Sequence, residues 1–329
     1  MKAVVIREHG SYEKLLLEER PAPDPRADEV RVRVRAIALN HLDSWVRRGI
    51  QGVQFPLPLI PGCDGAGVVD AVGEAARGVA PGSEVVLAPG VGDPMDRDYG
   101  ILGETRDGTC AEYIVVPREN VLPKPANLTF EEAAAVPLTF LTAWAMLARR
   151  AAVRPGEWVL VHAAGSGVGS AAVQIAKLHN ARVIATASTE EKRRKARELG
   201  ADDAIGYEDF VRESRRITGK AGVDVVFEHV GPATFAGSIQ CLRKGGRLVT
   251  CGGTSGHEVK FDLRHLFFKQ LSLLGNTMGT LEELKTVLGH VAQGRLRPVV
   301  DRVFPLAEIQ AAHRRLGERA VFGKVVVVP

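Results

Sequence analysis

The sequence predicts an α/β protein in which a doubly wound parallel sheet interrupts a β-rich domain. From about residue 128, strand and helix patterns alternate, which is typical of a parallel sheet with helices on both faces. Before that point, short apolar strands are separated by turns rich in Pro, Gly and Asp, which indicates a β-barrel-like domain. We expect residues 1–124 and 278–329 to form the β-rich domain, and residues 125–277 to form the parallel-sheet domain.

Composition and charge exclude several classes of protein. The 329 residues are enough for two domains, and the apolar (45%) and charged (25%) fractions are ordinary for a globular chain. The net charge of +4 comes from interspersed residues, without the basic and aromatic surface motifs of nucleic-acid binding. The sequence has no membrane-spanning apolar run and no C-x-x-C pair among the four cysteines, and from its first residues we expect no secretory leader. We expect a cytoplasmic, reduced protein without a membrane or nucleic-acid partner.

The β-rich part is predicted to contain short strands at Lys2–Ile6, Leu15–Glu19, Glu29–Ile37, Gly67–Val72 and Glu84–Leu87. Within the third of these, Val and Arg alternate strictly, so one face of the strand is expected to be buried. An Ala-rich helix is predicted over Phe130–Ala151, with a kink at Pro137.

The parallel sheet is predicted from a series of strand patterns that alternate with helices. The strands lie at Val159–Val161, Val183–Thr186, Ala204–Ile205, Val223–Phe227, Arg247–Cys251 and Leu271–Gly275, and a later helix lies at Glu282–Ala292.

A glycine-rich turn between the first strand of this sheet and the following helix is the most informative motif. Such a turn lets the backbone approach a dinucleotide pyrophosphate, and the helix start presents unpaired N–H groups to it. The candidate contacts are Gly165, Ser166, Gly167 and Val168. The strand before the turn and the helix after it make this prediction stronger than glycines alone would.

The next strand indicates which dinucleotide is bound. NAD-specific folds place an Asp or Glu about 20 residues after the glycines, where it binds the ribose 2′-OH. Ser188 and Thr189 occupy that place here, and Lys192 follows on the next helix. A hydroxyl and a cation suit a 2′-phosphate, so we expect NADPH, contacted by Ser188 and Lys192. The alternative is that Lys192 and its basic neighbours only form a solvated helix face.

Several ordered motifs together resemble one family. They are Lys2–Val5, Asn40–Gly49, Pro61–Val69, Ala134–Ala143, Ala163–Gly169, Glu228–Gly231 and Phe322–Val326. With them the chain resembles the medium-chain dehydrogenase/reductase superfamily along nearly its whole length, and most of all its zinc-free quinone oxidoreductase branch. The resemblance implies a GroES-like catalytic domain and a Rossmann domain. It also implies further cofactor contacts from Thr142, His229, Gly252 and Asn276, and a homodimer paired along the strand Leu271–Gly275, with a tetramer as an alternative.

The sequence departs from the zinc-dependent relatives at the metal ligands. Those relatives need a Cys where this chain has Asn40 and a His where it has Cys63, and their third ligand corresponds to Leu138–Leu141, which contains no Cys, His or acid. An amide is a poor zinc ligand. Leu42 stands where those relatives carry the hydroxyl that relays the alcohol proton. We therefore expect no metal, although His41, Cys63 and Asp64 leave a non-standard zinc site as an alternative.

Without a metal or a proton relay, the simplest chemistry is hydride transfer to a quinone or an α,β-unsaturated carbonyl. The substrate oxygen then needs a hydrogen-bond donor. Asn40 is the first candidate, with Arg47 and Lys324 as further ones. An apolar wall for a flat substrate is expected from Trp45, Phe55 and Phe140, although all three could equally be core residues. Two other functions stay open: an alcohol dehydrogenase, and a cofactor-binding protein with little turnover.

Overall fold

The computed structural model describes all 329 residues and divides them into two units. The first unit comprises Met1–Leu138 and Thr280–Pro329, and the second comprises Thr139–Gly279. The first unit thus extends past the boundary expected at residue 124. Its extra segment contains the helix Phe130–Ala134, whose Ala133 and Ala134 are buried, and this helix packs against strands of the first unit.

The elements follow in chain order. The strands are β1 (Lys2–Val5), β2 (Leu16–Glu19), β3 (Glu29–Ala38), β4 (Asp64–Val72), β5 (Glu84–Leu87), β6 (Gly90–Val91), β7 (Gly100–Ile101), β8 (Tyr113–Pro117), β9 (Val121–Pro123), β10 (Trp158–Val161), β11 (Arg182–Thr186), β12 (Asp203–Ile205), β13 (Val223–Glu228), β14 (Leu242–Thr250), β15 (Ser272–Gly275), β16 (Val300–Pro305) and β17 (Lys324–Val328). The helices are α1 (His41–Arg48), α2 (Phe130–Ala134), α3 (Pro137–Trp144), α4 (Gly167–Leu178), α5 (Glu190–Glu198), α6 (Phe210–Ile217), α7 (Pro232–Cys241), α8 (Leu263–Phe268), α9 (Leu281–Ala292) and α10 (Ile309–Gly317). None of these helices combines the length and the apolar character that crossing a membrane would need.

The prediction of a single helix over Phe130–Ala151 is wrong, because this range contains two separate helices. Thr129 caps α2, which ends at Ala134, and Pro137 then starts a new helix, α3, which continues into a π-helical segment, Ala145–Arg150. Proline fits the first position of a helix because the N–H that it lacks would have no intrahelical partner there. Pro137 therefore separates two helices instead of bending one.

The first unit is built on a seven-stranded sheet. Its main order is β16-β17-β3-β4-β5-β9, and β8 pairs with β3. The alternation predicted in β3 is present: Val30, Val32 and Val34 are buried, whereas Arg33 and Arg35 are exposed. One face of the long strand β3 thus covers the core of the unit.

The second unit is a six-stranded parallel sheet in the order β12-β11-β10-β13-β14-β15. The chain order reverses between β10 and β13, as it does in doubly wound nucleotide-binding folds. In such folds, ligands bind beyond the carboxyl ends of the strands at this reversal. The glycine-rich turn follows β10, so it lies at that edge. The strand β15 ends the sheet on one side.

Candidate functional site

Three chain segments that are remote in sequence meet at one end of the first unit's sheet. Asn40 follows β3, Asp64 begins β4 and Lys324 begins β17. Because β3 pairs with both β4 and β17, with Ala38 opposite Asp64 and opposite Val326, these three positions come together. Sequence order alone gives no such proximity, since Asn40 and Lys324 are separated by 284 positions.

The three side chains form a buried hydrogen-bonded cluster. Lys324 Nζ donates to Asn40 Oδ1 at 2.5 Å and to Asp64 Oδ2 at 3.1 Å. Asn40 Nδ2 donates to the same Asp64 Oδ2 at 2.9 Å, and it lies 3.2 Å from both Cys63 Sγ and the Ala38 carbonyl oxygen. All three side chains are at most 5% exposed. The opposite charges of Lys324 and Asp64 neutralise each other, which is what burial of charge requires.

Asp43 fixes the loop around this cluster. Its carboxylate accepts a hydrogen bond from the backbone N–H of Asn40 at 2.6 Å and from that of Gly62 at 3.1 Å. Complete burial raises the pKa of Asp43 to about 7, although these two hydrogen bonds and the charge of Lys324 oppose the shift. Asp43 holds the first turn of α1 to the segment that carries Cys63.

The residues at this position do not fit a zinc ion. No group of three or more His, Cys, Asp and Glu side chains stands close enough to hold a metal, so His41, Cys63 and Asp64 do not form a ligand set. Burial, reinforced by the charges of Asp43 and Asp64, raises the pKa of the Cys63 thiol well above its ordinary value. Zinc needs a thiolate and other lone-pair donors, and here an ammonium group lies against Asp64 instead.

The structure places the predicted hydrogen-bond donors differently from expectation. Both N–H groups of the Asn40 amide point at internal acceptors, so Asn40 has none left for a substrate unless it gives up a partner. Arg47 does not join the cluster: its Nη1 donates to the Gly10 carbonyl at 2.9 Å, and its guanidinium stacks 4.3 Å from the centre of the Tyr12 ring. Lys324 has two partners for its three ammonium hydrogens.

The predicted apolar wall is divided between the two units. Trp45 and Phe55 are half-buried in the first unit, and the Phe55 ring meets the edge of the His9 ring at 5.2 Å. Phe140 is 2% exposed and belongs to the second unit. Phe55 also packs against the hydrophobic core of the first unit, and this packing covers part of its side chain.

In the second unit, the glycine-rich turn has the form that a pyrophosphate site needs. Ser166 is the N-cap of α4, and its Oγ accepts the backbone N–H of Gly169 at 2.9 Å. A Cβ atom on Gly169 would lie 2.2 Å from the Ala163 carbonyl oxygen, so only glycine fits where the helix passes the turn. The N–H groups in the first turn of a helix have no intrahelical partners, and those of Gly167 and Val168 are in this position. Gly165 lies in the same turn.

Two cationic side chains follow the end of β11: the predicted Lys192 and also Arg193. Ser188 is exposed, Glu190 and Glu191 follow at the start of α5, and Lys192 is half-buried on the same helix. Arg193 is the residue tied to the strand end: its Nη1 donates to the Ala187 carbonyl at 3.3 Å, and its Nε donates to Glu190. The run of basic residues in the sequence contained this signal, and the contact with Ala187 places Arg193 at the end of β11.

The four remaining cofactor candidates lie near the other strand ends of the second unit. His229 follows β13, and its Nε2 donates at 2.8 Å to the His162 carbonyl oxygen, which can only accept; burial lowers the pKa of the ring. Gly252 follows β14. Asn276 follows β15, and its Nδ2 donates to the Met278 carbonyl at 2.8 Å. Thr142 Oγ1 contacts Met278 Sδ at 3.9 Å. The structure thus gathers these residues around one edge of the parallel sheet.

A buried chain of hydrogen bonds lies behind this edge. Complete burial lowers the pKa of His162 to about 4, so its ring is neutral at neutral pH. Its Nε2 is 2.9 Å from Ser238 Oγ, which donates to Glu228 at 2.8 Å, and its Nδ1 is 3.0 Å from Thr186 Oγ1. A carboxylate only accepts, so Nε2 carries the proton and Nδ1 accepts from Thr186. Glu228 also accepts the N–H groups that follow β13, so the chain links that turn to the end of β11.

Comparison with known proteins identifies the family. Residues 26–126 match the alcohol dehydrogenase GroES-like domain, and residues 167–293 match the zinc-binding dehydrogenase family. The quinone oxidoreductase of Lama guanicoe is 30% identical over 338 residues, which cover 100% of this chain and 97% of that protein. The chain belongs to the medium-chain dehydrogenase/reductase superfamily.

Two solved structures of the superfamily are informative. One, described as an NAD-dependent alcohol dehydrogenase, is 50% identical and covers 100% of both chains with a TM-score of 0.97. The other is a 2-octenoyl-CoA carboxylase reductase in complex with NADP and 2-octenoyl-CoA; it is 31% identical, with a TM-score of 0.86, and the match covers 96% of this chain and 82% of that one. As a medium-chain dehydrogenase/reductase, the chain is an oxidoreductase whose expected cofactor is a pyridine nucleotide.

Proposed function

We propose that this chain transfers hydride from NADPH to a quinone or an α,β-unsaturated carbonyl, without a metal ion. The observation that carries the proposal is the buried cluster of Asn40, Asp64 and Lys324, in which Asn40 holds the position where the zinc-dependent members need a thiolate. Such acceptors are already polarised and need no Lewis acid. Their reduction needs only a placed cofactor and a stabilised substrate oxygen.

Residues of this chain position the cofactor and the substrate. NADPH, when bound, supplies the hydride. The turn Gly165–Val168 holds its pyrophosphate, and Thr142, His229, Gly252 and Asn276 hold the nicotinamide end at the same edge of the second unit's sheet. In the first unit, the ammonium group of Lys324 gives a positive potential where negative charge develops on the substrate oxygen. Trp45, Phe55 and Phe140 offer apolar surface for a flat substrate.

The preference for NADPH rests on the end of β11. Ser188 and Thr189 replace the acid that would repel a 2′-phosphate, and Lys192 and Arg193 follow on α5. The NADP bound to the carboxylase reductase supports this assignment. The 50% identical structure described as NAD-dependent makes NADH the competing cofactor.

An alcohol dehydrogenase is the second candidate function, and the same 50% identical structure favours it. Leu42 argues against it, because it leaves no hydroxyl to relay the alcohol proton. One assay separates the two: oxidation of NADPH and NADH with a naphthoquinone, an enone and a short alkenal, and the reverse reaction with alcohols, before and after a chelator. Chelator-insensitive NADPH oxidation supports the proposal, whereas turnover of alcohols alone overturns it.

We further propose that the protein is a homodimer paired along β15, with a tetramer as the alternative. The edge strand β15 lies beside α8, where Leu263, Phe267 and Phe268 are 63%, 59% and 69% exposed. An open strand edge next to exposed apolar side chains is a surface that a second copy would cover. Light scattering of wild type and of Phe268→Asp tests it. A smaller mass for the variant supports the dimer, and a monomeric wild type contradicts it.

A further inference from the structure

A cavity at the surface of the first unit is lined by two arginines. It measures about 290 Å³, and its walls are Gly10, Ser11, Tyr12, Arg47 and Arg48. The two arginines are the last residues of α1, and the other three belong to the segment that leads into a 3₁₀ turn, Tyr12–Lys14. Hydrogen bonds tie the two segments together, because Gly10 N–H donates to the Arg47 carbonyl at 2.9 Å and Arg47 Nη1 donates to the Gly10 carbonyl at 2.9 Å. The cavity therefore lies within the first unit, and none of its walls belongs to the buried cluster at Asn40.

Arg47 is a buried cation whose hydrogen-bond donors are only partly used. The residue is 1% exposed, and its Nε is buried without any hydrogen-bond partner. A guanidinium group carries five N–H donors, and the Gly10 carbonyl accepts from one of them. The negative charge of Glu13 reaches Arg47, but Glu13 is exposed and forms no ion pair with it. Buried charges in proteins are normally paired, so Arg47 lacks the anion that its burial calls for.

Two further guanidinium groups stand close to Arg47. Arg48 is exposed on the wall of the cavity, and burial of Arg47 together with the charge of Arg48 lowers the pKa of Arg47. Arg314 on α10 lies over the Tyr12 ring, with its Cζ 5.1 Å from the ring centre, and the Cζ of Arg47 lies 4.3 Å from the same centre. Like charges gathered in this way repel each other, and a bound anion relieves the repulsion.

The surrounding groups leave most of this positive charge uncompensated. Lys14 and Glu8 neutralise each other in an ion pair at 2.5 Å. Burial and the charge of Arg47 lower the pKa of the buried His313 to about 3, so its ring is neutral at neutral pH. Three guanidinium groups against the one carboxylate of Glu13 leave an excess of two positive charges. A phosphate group carries about −1.5 to −2 charges at pH 7, so it matches this excess better than a carboxylate does.

We propose that this cavity is a second anion site, which binds the phosphate group of a small molecule, either inorganic phosphate or a phosphate monoester. Arg48 and the N–H groups of Arg47 that the Gly10 carbonyl leaves unused donate to the phosphate oxygens, since the guanidinium fork matches their spacing. Arg314 adds positive potential from its place over the Tyr12 ring. The site needs no residue of the second unit and no step of the proposed reaction, so it is independent of the function proposed above.

Isothermal titration calorimetry of the whole chain with inorganic phosphate tests the proposal. Saturating NADP⁺ and NAD⁺ are both present to occupy the cofactor site, and chloride keeps the ionic strength constant. We expect a single saturable site whose Kd rises about tenfold in Arg48→Ala, because a hydrogen bond to a charged group is lost. Arg302→Ala is the matched control, since Arg302 is also exposed in the first unit and also lies over an aromatic ring, that of Phe304. Absent binding, or equal Kd values for the two variants, overturns the proposal.

A second variant and two further titrants complete the test. Arg314→Ala, at an exposed position of α10, should raise the Kd for phosphate about threefold through the loss of a screened charge, and it keeps the test decisive if Arg48→Ala does not fold. Tighter binding of glycerol 3-phosphate than of inorganic phosphate supports a monoester as the ligand, and equal binding supports the bare anion. Acetate that binds as tightly as phosphate contradicts the proposed class. A protein without turnover on any acceptor overturns the proposed function and leaves this test unchanged.

Discussion

Asp43 in the first unit and His162 in the second are both fully buried, yet burial moves their pKa values in opposite directions. The pKa of Asp43 rises to about 7, and that of His162 falls to about 4. The cause is the same in both cases, since a dry environment favours the neutral form. For a carboxyl that form is protonated, and for an imidazole it is deprotonated. Acidification therefore stabilises one region and destabilises the other.

Lys324 and Asp64 show the other way to bury charge, because the two form an ion pair at 3.1 Å in which each compensates the other. Replacing Lys324 with Met leaves Asp64 buried without its counter-ion, and we expect a loss of about 3–5 kcal/mol in the free energy of unfolding. Urea unfolding measures it. Lys324→Met with Asp64→Asn should recover part of the loss, since no charge is then left unpaired. A single variant as stable as wild type would show that the pair is not buried in solution.

Replacing Asp43 with Asn removes the buried carboxyl group, the first of the two groups compared. A raised folded pKa means that the folded state holds its proton while the unfolded state has lost it, so stability falls as pH rises from about 4 to 7. The full change is about 4 kcal/mol, at 1.36 kcal/mol per pKa unit. The free energy of unfolding of Asp43→Asn should therefore lack this decrease with rising pH. The measurement is the free energy of unfolding of variant and wild type at several pH values, and parallel curves would contradict it.

Replacing His162 with Gln removes the basic partner. Its folded pKa lies below the unfolded value of 6.5, so the unfolded state binds the extra proton between about pH 4 and 6.5. Stability therefore rises with pH in this window, by about 3 kcal/mol. In wild type the two contributions oppose each other, so the single variants should show slopes of opposite sign. Equal slopes would show that burial shifts neither pKa.

Arg193 gives the smallest effect and sharpens the contrast between buried and exposed charge. Arg193→Ala should raise KM for NADPH about tenfold and leave KM for NADH within about twofold, because a hydrogen bond to a charged group contributes about 1.5–3 kcal/mol. Arg194→Ala is the control, since Arg194 is exposed on the same helix and pairs with Glu198. An equal change for both cofactors would mean that Arg193 does not contact the 2′-phosphate.

The parts of the molecule that depend on local pattern were predictable from the sequence. The strand, the glycine turn and the helix at Trp158–Leu178 have their own signals, as do the alternation in β3 and the strand series of the second unit. The split at Pro137 was not predicted, because proline can bend a helix or begin one, and the choice depends on what the neighbouring turns pack against.

The site chemistry was less predictable because it depends on distant contacts. The residue types of Asn40 and Lys324 singled them out, but only the pairing of β17 with β3 shows that they bond to each other, which removes Asn40 as a free donor. Lys192 and Arg193 are adjacent in sequence, and the basic run alone does not show that Arg193 contacts the end of β11.

The pairing of β17 with β3 also bears on how the protein is made. A ribosome delivers Asn40 and Asp64 long before Lys324, and between them it delivers the whole of Thr139–Gly279. The second unit is a continuous segment, so it can fold as soon as it has emerged. Until Lys324 arrives, Asp64 has no counter-ion, and Ile37 and Ala38 of β3 lack their partners on β17. The first unit can therefore complete its sheet only after the whole second unit and β17 have been made.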